Sequence, residues 1–99
     1  MHLHLAQLRQ QGLNAFERKD YPAALEAFRA ILVERPWFAD IRHYAALCLG
    51  FMGRTEEALE QIDLAVDVNP GYVEAHINRA LLLQELGRYE DARRAVERA

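Results

Sequence analysis

The sequence contains no serine, one threonine and one cysteine among its 99 residues. Catalysis needs a nucleophile beside a base, a metal cluster or a phosphate-binding loop. Thr55 falls in a predicted turn, and Cys48 lies among apolar residues of a predicted helix, where a cysteine usually acts as a small buried hydrophobic residue. A single cysteine also excludes an internal disulfide bond. We therefore predict that the chain is not an enzyme.

Glycine-rich loops and an excess of basic residues are missing as well. The five glycines fall in predicted helices or turns, so no loop is suited to holding a phosphate group. The chain has 12 lysines and arginines against 15 aspartates and glutamates, a formal net charge of −3. Such a balance offers no basic surface for a nucleic-acid backbone. We predict neither a cofactor nor a nucleic-acid partner.

The four histidines do not form the spacing of a zinc site. His2 and His4 are two residues apart and point to different sides of a helix. His43 and His76 fall on corresponding helices of neighbouring repeats and could approach each other, but two imidazoles without a third ligand seldom hold zinc. We predict no metal site, and we expect His43 to be a solvated side chain.

Long apolar runs are absent too. No stretch approaches the length of a membrane span, and the first residues lack the basic and apolar regions of a signal peptide. We expect a cytoplasmic protein with no membrane partner, or a part of a larger protein of that kind.

What the sequence does contain is a repeat of 34 residues, the separation of Pro36 and Pro70. At that offset, residues of similar size coincide. The coinciding sets are Gly12, Ala46 and Ala80; Ala24, Ala58 and Ala92; Phe28, Ile62 and Val96; and Gly53 and Gly87. Self-similarity at such a period is typical of repeat arrays.

Each repeat is predicted to be a helical hairpin. In the second repeat, helices over residues 40–52 and 56–68 flank a turn at Gly53, and Pro70 ends the second helix. The small residues at shared positions are expected where the two helices approach most closely. We predict one domain, residues 1–99, with repeats at about 5–38, 39–72 and 73–99, of which the last is incomplete.

These positions resemble the tetratricopeptide repeat family, together with the segments Tyr21-Pro22-Ala23-Ala24-Leu25 and Arg88-Tyr89-Glu90-Asp91-Ala92. Three departures from the family pattern are Arg42 and His76, where a large apolar residue is usual, and Arg93, where leucine is usual. The resemblance implies an all-α fold of three stacked helix-turn-helix repeats that form a short right-handed α-solenoid.

The resemblance also implies a concave groove, lined by the first helix of each hairpin, in which partners lie. The residues that the resemblance places there are Ala6, Arg9, Leu13, Phe16, Glu17, Asp40, His43, Tyr44, Leu47, Gly50, Phe51, Glu74, Ile77, Asn78, Leu81, Gln84 and Glu85. Phe16 and Phe51 are the strongest candidates. For Leu13, Leu47 and Leu81, a place in the core is equally expected.

Some members of the family hold acidic chaperone tails with a clamp of lysine, asparagine and arginine side chains. The five corresponding positions here are Arg9, Leu13, Tyr44, Glu74 and Asn78. Only Arg9 keeps the required charge, and Glu74 reverses one, so the sequence does not predict this clamp.

We therefore predict a non-catalytic protein-protein interaction module whose groove binds a peptide or helix of a partner. Acidic residues at both ends of the groove favour an amphipathic partner with basic residues. Two alternatives remain open at this point. The chain could be a self-assembling scaffold, a homo-oligomer, or it could be the interaction domain of a larger enzyme.

Overall fold

The computed structural model describes residues 2–88, 91, 93, 94 and 96 and shows an all-helical protein. The helices are α1 (His2–Glu17), α2 (Tyr21–Glu34), α3 (Ala39–Phe51), α4 (Thr55–Val68) and α5 (Val73–Glu85). Residues 91, 93, 94 and 96 are also helical. The rest of the second helix predicted for the third repeat lies outside the described residues, as does Ala92.

Each helix packs on the next one along the chain, so that α1 with α2 and α3 with α4 form two antiparallel hairpins, and α5 continues the stack. The interior is one continuous apolar core, whose largest fully buried side chains are Phe28, Ile31, Ile41, Leu49, Ile62, Leu83 and Cys48. Stacked helical hairpins with a shared core are the solenoid arrangement that the sequence predicts, and the all-α prediction is confirmed.

Small residues lie where the helices of a hairpin approach each other. A Cβ atom built on Gly12 would lie 2.5 Å from Cε1 of Phe28, so only glycine fits there unless the ring moves. In the second hairpin, the corresponding Ala46 is buried, and so is Ala58 on the facing helix. The structure thus explains why these positions carry short side chains.

In the described part of the chain, the turns that follow α1, α3 and α5 end these helices in the same way. Lys19, Gly53 and Gly87 are 34 residues apart and have positive φ angles of 63°, 78° and 75°. The backbone N–H of the next residue donates to a carbonyl in the last helical turn, as Arg54 does to Leu49 at 2.9 Å. This is the Schellman motif, in which glycine is favoured at the left-handed position.

Two of the departures from the family pattern have a shared explanation. Arg42 and His76 occupy the same position of successive repeats, and each side chain bonds to the carbonyl of the proline six residues earlier. Arg42 Nε donates to Pro36 O at 3.1 Å, and His76 Nε2 lies 2.6 Å from Pro70 O. These polar side chains therefore tie the start of a hairpin to the preceding junction, where an apolar residue would only fill space.

The small residues at the helix crossing generate a first prediction. Ala58→Leu and Ala46→Leu should each lower the free energy of unfolding by about 1–3 kcal/mol, because a close-packed crossing cannot take the added volume. Urea or thermal melts measure this. Ala23→Leu, at an exposed position of α2, is the matched control and should change stability by less than about 0.5 kcal/mol. If both buried variants melt like the parent, the hairpin register is wrong.

The first turn generates a second prediction. A left-handed conformation costs a non-glycine residue about 1–2 kcal/mol, and the added flexibility of glycine in the unfolded chain offsets part of that. Lys19→Gly should therefore stabilise the protein by about 0.5–1 kcal/mol. Lys19→Ala keeps the backbone strain and serves as the control. Equal stabilisation by both substitutions in chemical denaturation would show that the lysine side chain, not the turn, is responsible.

Candidate binding groove

The predicted groove residues of α1, α3 and α5 contact one another across neighbouring repeats. Arg9 Nη2 donates to Asp40 Oδ2 at 2.5 Å, which joins α1 to α3. Asn78 Nδ2 lies 2.8 Å from His43 Nε2, which joins α3 to α5. The three first helices therefore form one surface, and we refer to this surface as the groove.

Four aromatic side chains gather where the hairpin turns border the groove, and we call them the aromatic cluster: Phe16, Tyr21, Tyr44 and Phe51. The rings of Tyr21 and Phe51 stack with centroids 4.8 Å apart, and Phe16 packs edge-on against Tyr44 at 5.5 Å. Phe16 and Tyr44 also pack against the core. Phe51 remains 62% exposed, so of these four it offers the largest apolar surface to a partner.

Tyr21 was not among the predicted groove residues. It opens α2, the second helix of its hairpin, and the family pattern assigns the groove to first helices only. Its position directly after the turn that follows Phe16 is the signal that places it beside the ends of α1 and α3.

An open pocket of about 190 Å³ lies between α3 and α5. Its lining consists of Ala46, Leu47, Gly50, Phe51, Ile62, Asn78, Leu81, Leu82 and Glu85. Six of these, namely Leu47, Gly50, Phe51, Asn78, Leu81 and Glu85, are predicted groove residues. Ile62 and Leu82 are core residues that form the inner side of the pocket. Their role in the pocket could not be predicted from the sequence, because both occupy ordinary buried positions.

An apolar strip runs along α5. Val73, Ile77 and Leu81 follow one another at four-residue steps, and each is about half exposed. Side chains at this spacing share one helix face. Val73 lies on the same helix face as Ile77 but is not among the predicted groove residues, although its spacing from Ile77 indicates it. The strip and the pocket together make the α3–α5 half of the groove its more apolar part.

Charged groups at the groove are unequally available. Arg9 and Asp40 are engaged with each other, so they contribute little net charge. Glu85 accepts a hydrogen bond from Thr55 Oγ1 at 3.2 Å. Glu17 and Glu74 are exposed and form no ion pair with any residue that the structure describes. The acidic rim therefore consists of Glu17, Glu74 and Glu85, while the remaining predicted polar residue, Gln84, is exposed and uncharged.

His43 does not lie in solvent, and that prediction is wrong. Only 8% of the residue is exposed, because Tyr72, which directly precedes α5, and Asn78 of α5 cover the ring. Asn78 Nδ2 donates to Nε2, which leaves the proton of the neutral ring on Nδ1, 3.0 Å from the Tyr72 hydroxyl oxygen. Burial lowers the pKa of His43, although the carboxylates of Glu74 and Asp40 act in the opposite direction.

His43 and His76 are held by different partners, and among the described residues no three histidine, cysteine or acidic side chains gather in a way that could bind a metal ion. Cys48 is fully buried, and burial raises the pKa of its thiol to about 11. The thiol is therefore protonated at neutral pH and acts as a core residue. Within the described part of the chain, no helix is long and apolar enough to cross a membrane.

The family model described as "Tetratricopeptide repeat" matches residues 45–99. The chain belongs to the tetratricopeptide repeat family. This family generally provides non-catalytic protein-interaction modules.

Curated relatives of this tetratricopeptide repeat chain come from distant organisms. Tetratricopeptide repeat protein 36 of Danio rerio is 32% identical over 96 residues, which cover 93% of this chain and 51% of that protein. An uncharacterized protein of Methanocaldococcus jannaschii is 49% identical over 45 residues, or 46% of this chain and 52% of that protein. DnaJ homolog subfamily C member 7 homolog of Dictyostelium discoideum is 30% identical over 95 residues, 92% of this chain but 18% of that protein. The chain thus spans about half, or less, of these relatives.

Solved structures share the tetratricopeptide repeat fold at low identity. The "TPR2B-domain:pHsp70-complex of yeast Sti1" superposes with a TM-score of 0.92 at 22% identity, covering 97% of this chain and 77% of that chain. A crystal structure of MamA superposes with a TM-score of 0.91 at 19% identity, covering 95% and 55%. Similarity at this level of identity establishes the fold.

The buried His43 generates a third prediction, on the pH dependence of stability. Its pKa in the folded state lies below the value of about 6.5 of an unfolded chain, so the unfolded chain takes up the proton first. Stability should therefore fall as the pH drops below about 6.5, until the pH reaches the folded-state pKa. We expect the free energy of unfolding to decrease more between pH 7.5 and pH 5.5 in the parent than in His43→Gln. Equal decreases in urea titrations of the two proteins would contradict this.

Proposed function

We propose that this chain is a non-catalytic interaction module whose groove binds an amphipathic peptide or helix of a partner protein, with basic residues beside its apolar anchors. The observation that carries the proposal is the continuous apolar surface of the α3–α5 half of the groove. There, Phe51, the strip of Val73, Ile77 and Leu81, and the open pocket lie side by side. Contiguous exposed apolar surface with a polar rim is typical of protein-binding sites.

The charges of the rim favour a basic partner. Glu17, Glu74 and Glu85 carry negative charge around the apolar floor, and the one arginine predicted for the groove is engaged with Asp40. Charged rim groups steer encounter and set specificity, whereas buried apolar anchors supply most of the binding energy. A segment that carries Lys or Arg would therefore associate faster and bind more specifically, and an acidic segment would be repelled.

The fold comparison agrees with a protein partner. The yeast Sti1 domain of the same fold is described in complex with pHsp70, so this arrangement of helices is compatible with holding another protein's segment. The position-by-position mismatch with the acidic-tail clamp, above all Glu74, argues that this chain prefers a ligand of opposite charge. In a longer protein, this chain would serve as a docking domain, with the groove as its binding surface.

The proposal leads to a fourth prediction, tested with peptides selected on the purified chain from a displayed random library. Phe51→Ala should weaken a selected peptide by more than about 1 kcal/mol, because an anchor contact is lost. Loss of the stacking with Tyr21 should cost about 0.5–1.5 kcal/mol of stability. Glu74→Lys should mainly lower the association rate and its salt dependence. Stopped-flow kinetics and fluorescence anisotropy measure both effects.

Two matched controls lie off the groove. Val33→Ala removes an apolar side chain that is 83% exposed on α2, and Glu60→Lys reverses a charge at an exposed position of α4. Neither should change binding. Selected peptides that are acidic, or that bind the Phe51→Ala and Glu74→Lys variants as well as they bind the parent, would contradict the proposal. Peptide-independent dimers in light scattering, lost in Phe51→Ala, would instead indicate that the groove serves self-assembly.

A further inference from the structure

The two junctions between neighbouring first helices differ in how they are filled. Between α1 and α3, Tyr44 stacks on Phe28 with centroids 5.4 Å apart and an interplanar angle of 19°, and Phe16 packs edge-on against Tyr44 at 5.5 Å. Three aromatic rings thus fill the first junction between the core and the groove surface.

The 34-residue offset places smaller residues at the same three positions of the second junction. Phe16 corresponds to Gly50, Phe28 to Ile62, and Tyr44 to Asn78. Gly50, Ile62 and Asn78 all line the open pocket between α3 and α5. The pocket therefore lies at the positions where the first junction holds its aromatic rings. It is open because the smaller residues of the second junction do not fill the volume that those rings occupy.

The surroundings of this pocket suit one kind of occupant. Leu47 and Leu81 form apolar walls, and Phe51, which is 62% exposed, also lines the pocket. Aromatic side chains combine a large buried area with favourable ring-to-ring contacts. Glu85 lines the same pocket and supplies a carboxylate at its edge.

We propose that this anchor pocket receives one aromatic side chain of a partner peptide, and that a lysine or arginine next to that side chain pairs with Glu85. The inference rests on the proposed function, because it specifies which anchor the groove selects. Gly50 is the residue that determines this specificity, since any larger side chain at its position would occupy the pocket.

Gly50 can be changed without disturbing the fold. A Cβ atom built on it would meet only Leu82 Cδ2, at 3.5 Å, which is ordinary van der Waals contact and contrasts with the 2.5 Å clash at Gly12. Alanine also favours a helix more than glycine does. Gly50→Ala should therefore fold at least as well as the parent while reducing the pocket, and Gly50→Phe should fill the pocket as Phe16 fills the first junction.

The experiment uses three blocked dipeptide amides, acetyl-Phe-Lys, acetyl-Ala-Lys and acetyl-Phe-Glu, titrated into methyl-labelled protein and followed by NMR. Acetyl-Phe-Lys should shift the methyl signals of Leu47, Leu81 and Leu82 and bind about tenfold more tightly than acetyl-Ala-Lys, because the ring carries most of the contact. Acetyl-Phe-Glu should bind more weakly than acetyl-Phe-Lys. Gly50→Ala should weaken acetyl-Phe-Lys, and Gly50→Phe should abolish its binding.

Gly71→Ala is the matched control, since a Cβ atom there would meet only Asn69 Oδ1 at 3.8 Å and lies outside the pocket. Thermal melts of all variants establish whether they fold. If Gly50→Phe does not fold, the binding of acetyl-Phe-Lys to Gly50→Ala alone tests the anchor pocket. Equal shifts in the parent and in Gly50→Ala, or equal binding of the Phe and Ala dipeptides, would overturn the anchor pocket.

The failure of this inference is distinguishable from the failure of the proposed function. Library peptides that lose affinity in Phe51→Ala but not in Gly50→Ala would leave the groove intact and overturn the pocket. Library peptides that bind Phe51→Ala and Glu74→Lys as tightly as the parent would overturn the proposed function of the groove, even if acetyl-Phe-Lys bound in the pocket.

Discussion

The architecture depends on the close approach of two helices within each hairpin. Phe28 lies so close to Gly12 that any side chain at that position of α1 would clash with its ring. Buried alanines at the corresponding crossing of the next hairpin allow a similarly close approach of α3 and α4. A tight hairpin exposes one edge of its core, which the next first helix covers, so each repeat is stabilised by its neighbour. The groove is a consequence, since successive first helices are thereby brought side by side.

Some features of the structure could be predicted from the sequence more fully than others. The 34-residue period is found by aligning the sequence with itself. The helices and the turn at Gly53 depend on residues close in the chain, and these were predicted correctly to within a few residues. The capping of α2 is equally local, since the side chain of Asp20 accepts from Ala23 N at 3.3 Å. The groove residues were placed by the resemblance to the family, and their role in binding stays a prediction.

Contacts between neighbouring repeats could not be predicted in this way. The burial of His43 depends on Tyr72 and Asn78, which lie 29 and 35 residues away, and the pairing of Arg9 with Asp40 spans 31 residues. Such partners are specific to this chain, because the family pattern fixes positions but not the side chains that meet across a junction. The pocket beside Gly50 has the same origin, since it arises from a difference between repeats that a consensus removes.

The links from Arg42 and His76 to the preceding prolines bear on consensus engineering, in which each residue is replaced by the one most usual for its family. Arg42 donates to both Pro36 O and Gln61 Oε1, so a leucine there would remove two hydrogen bonds at a partly exposed site. His76 is buried, and its Nδ1 has no hydrogen-bond partner among the described residues. A leucine there would give up one bond to Pro70 O and also remove an unsatisfied polar atom from the interior. One consensus rule, applied at two equivalent positions, would therefore act in two different ways.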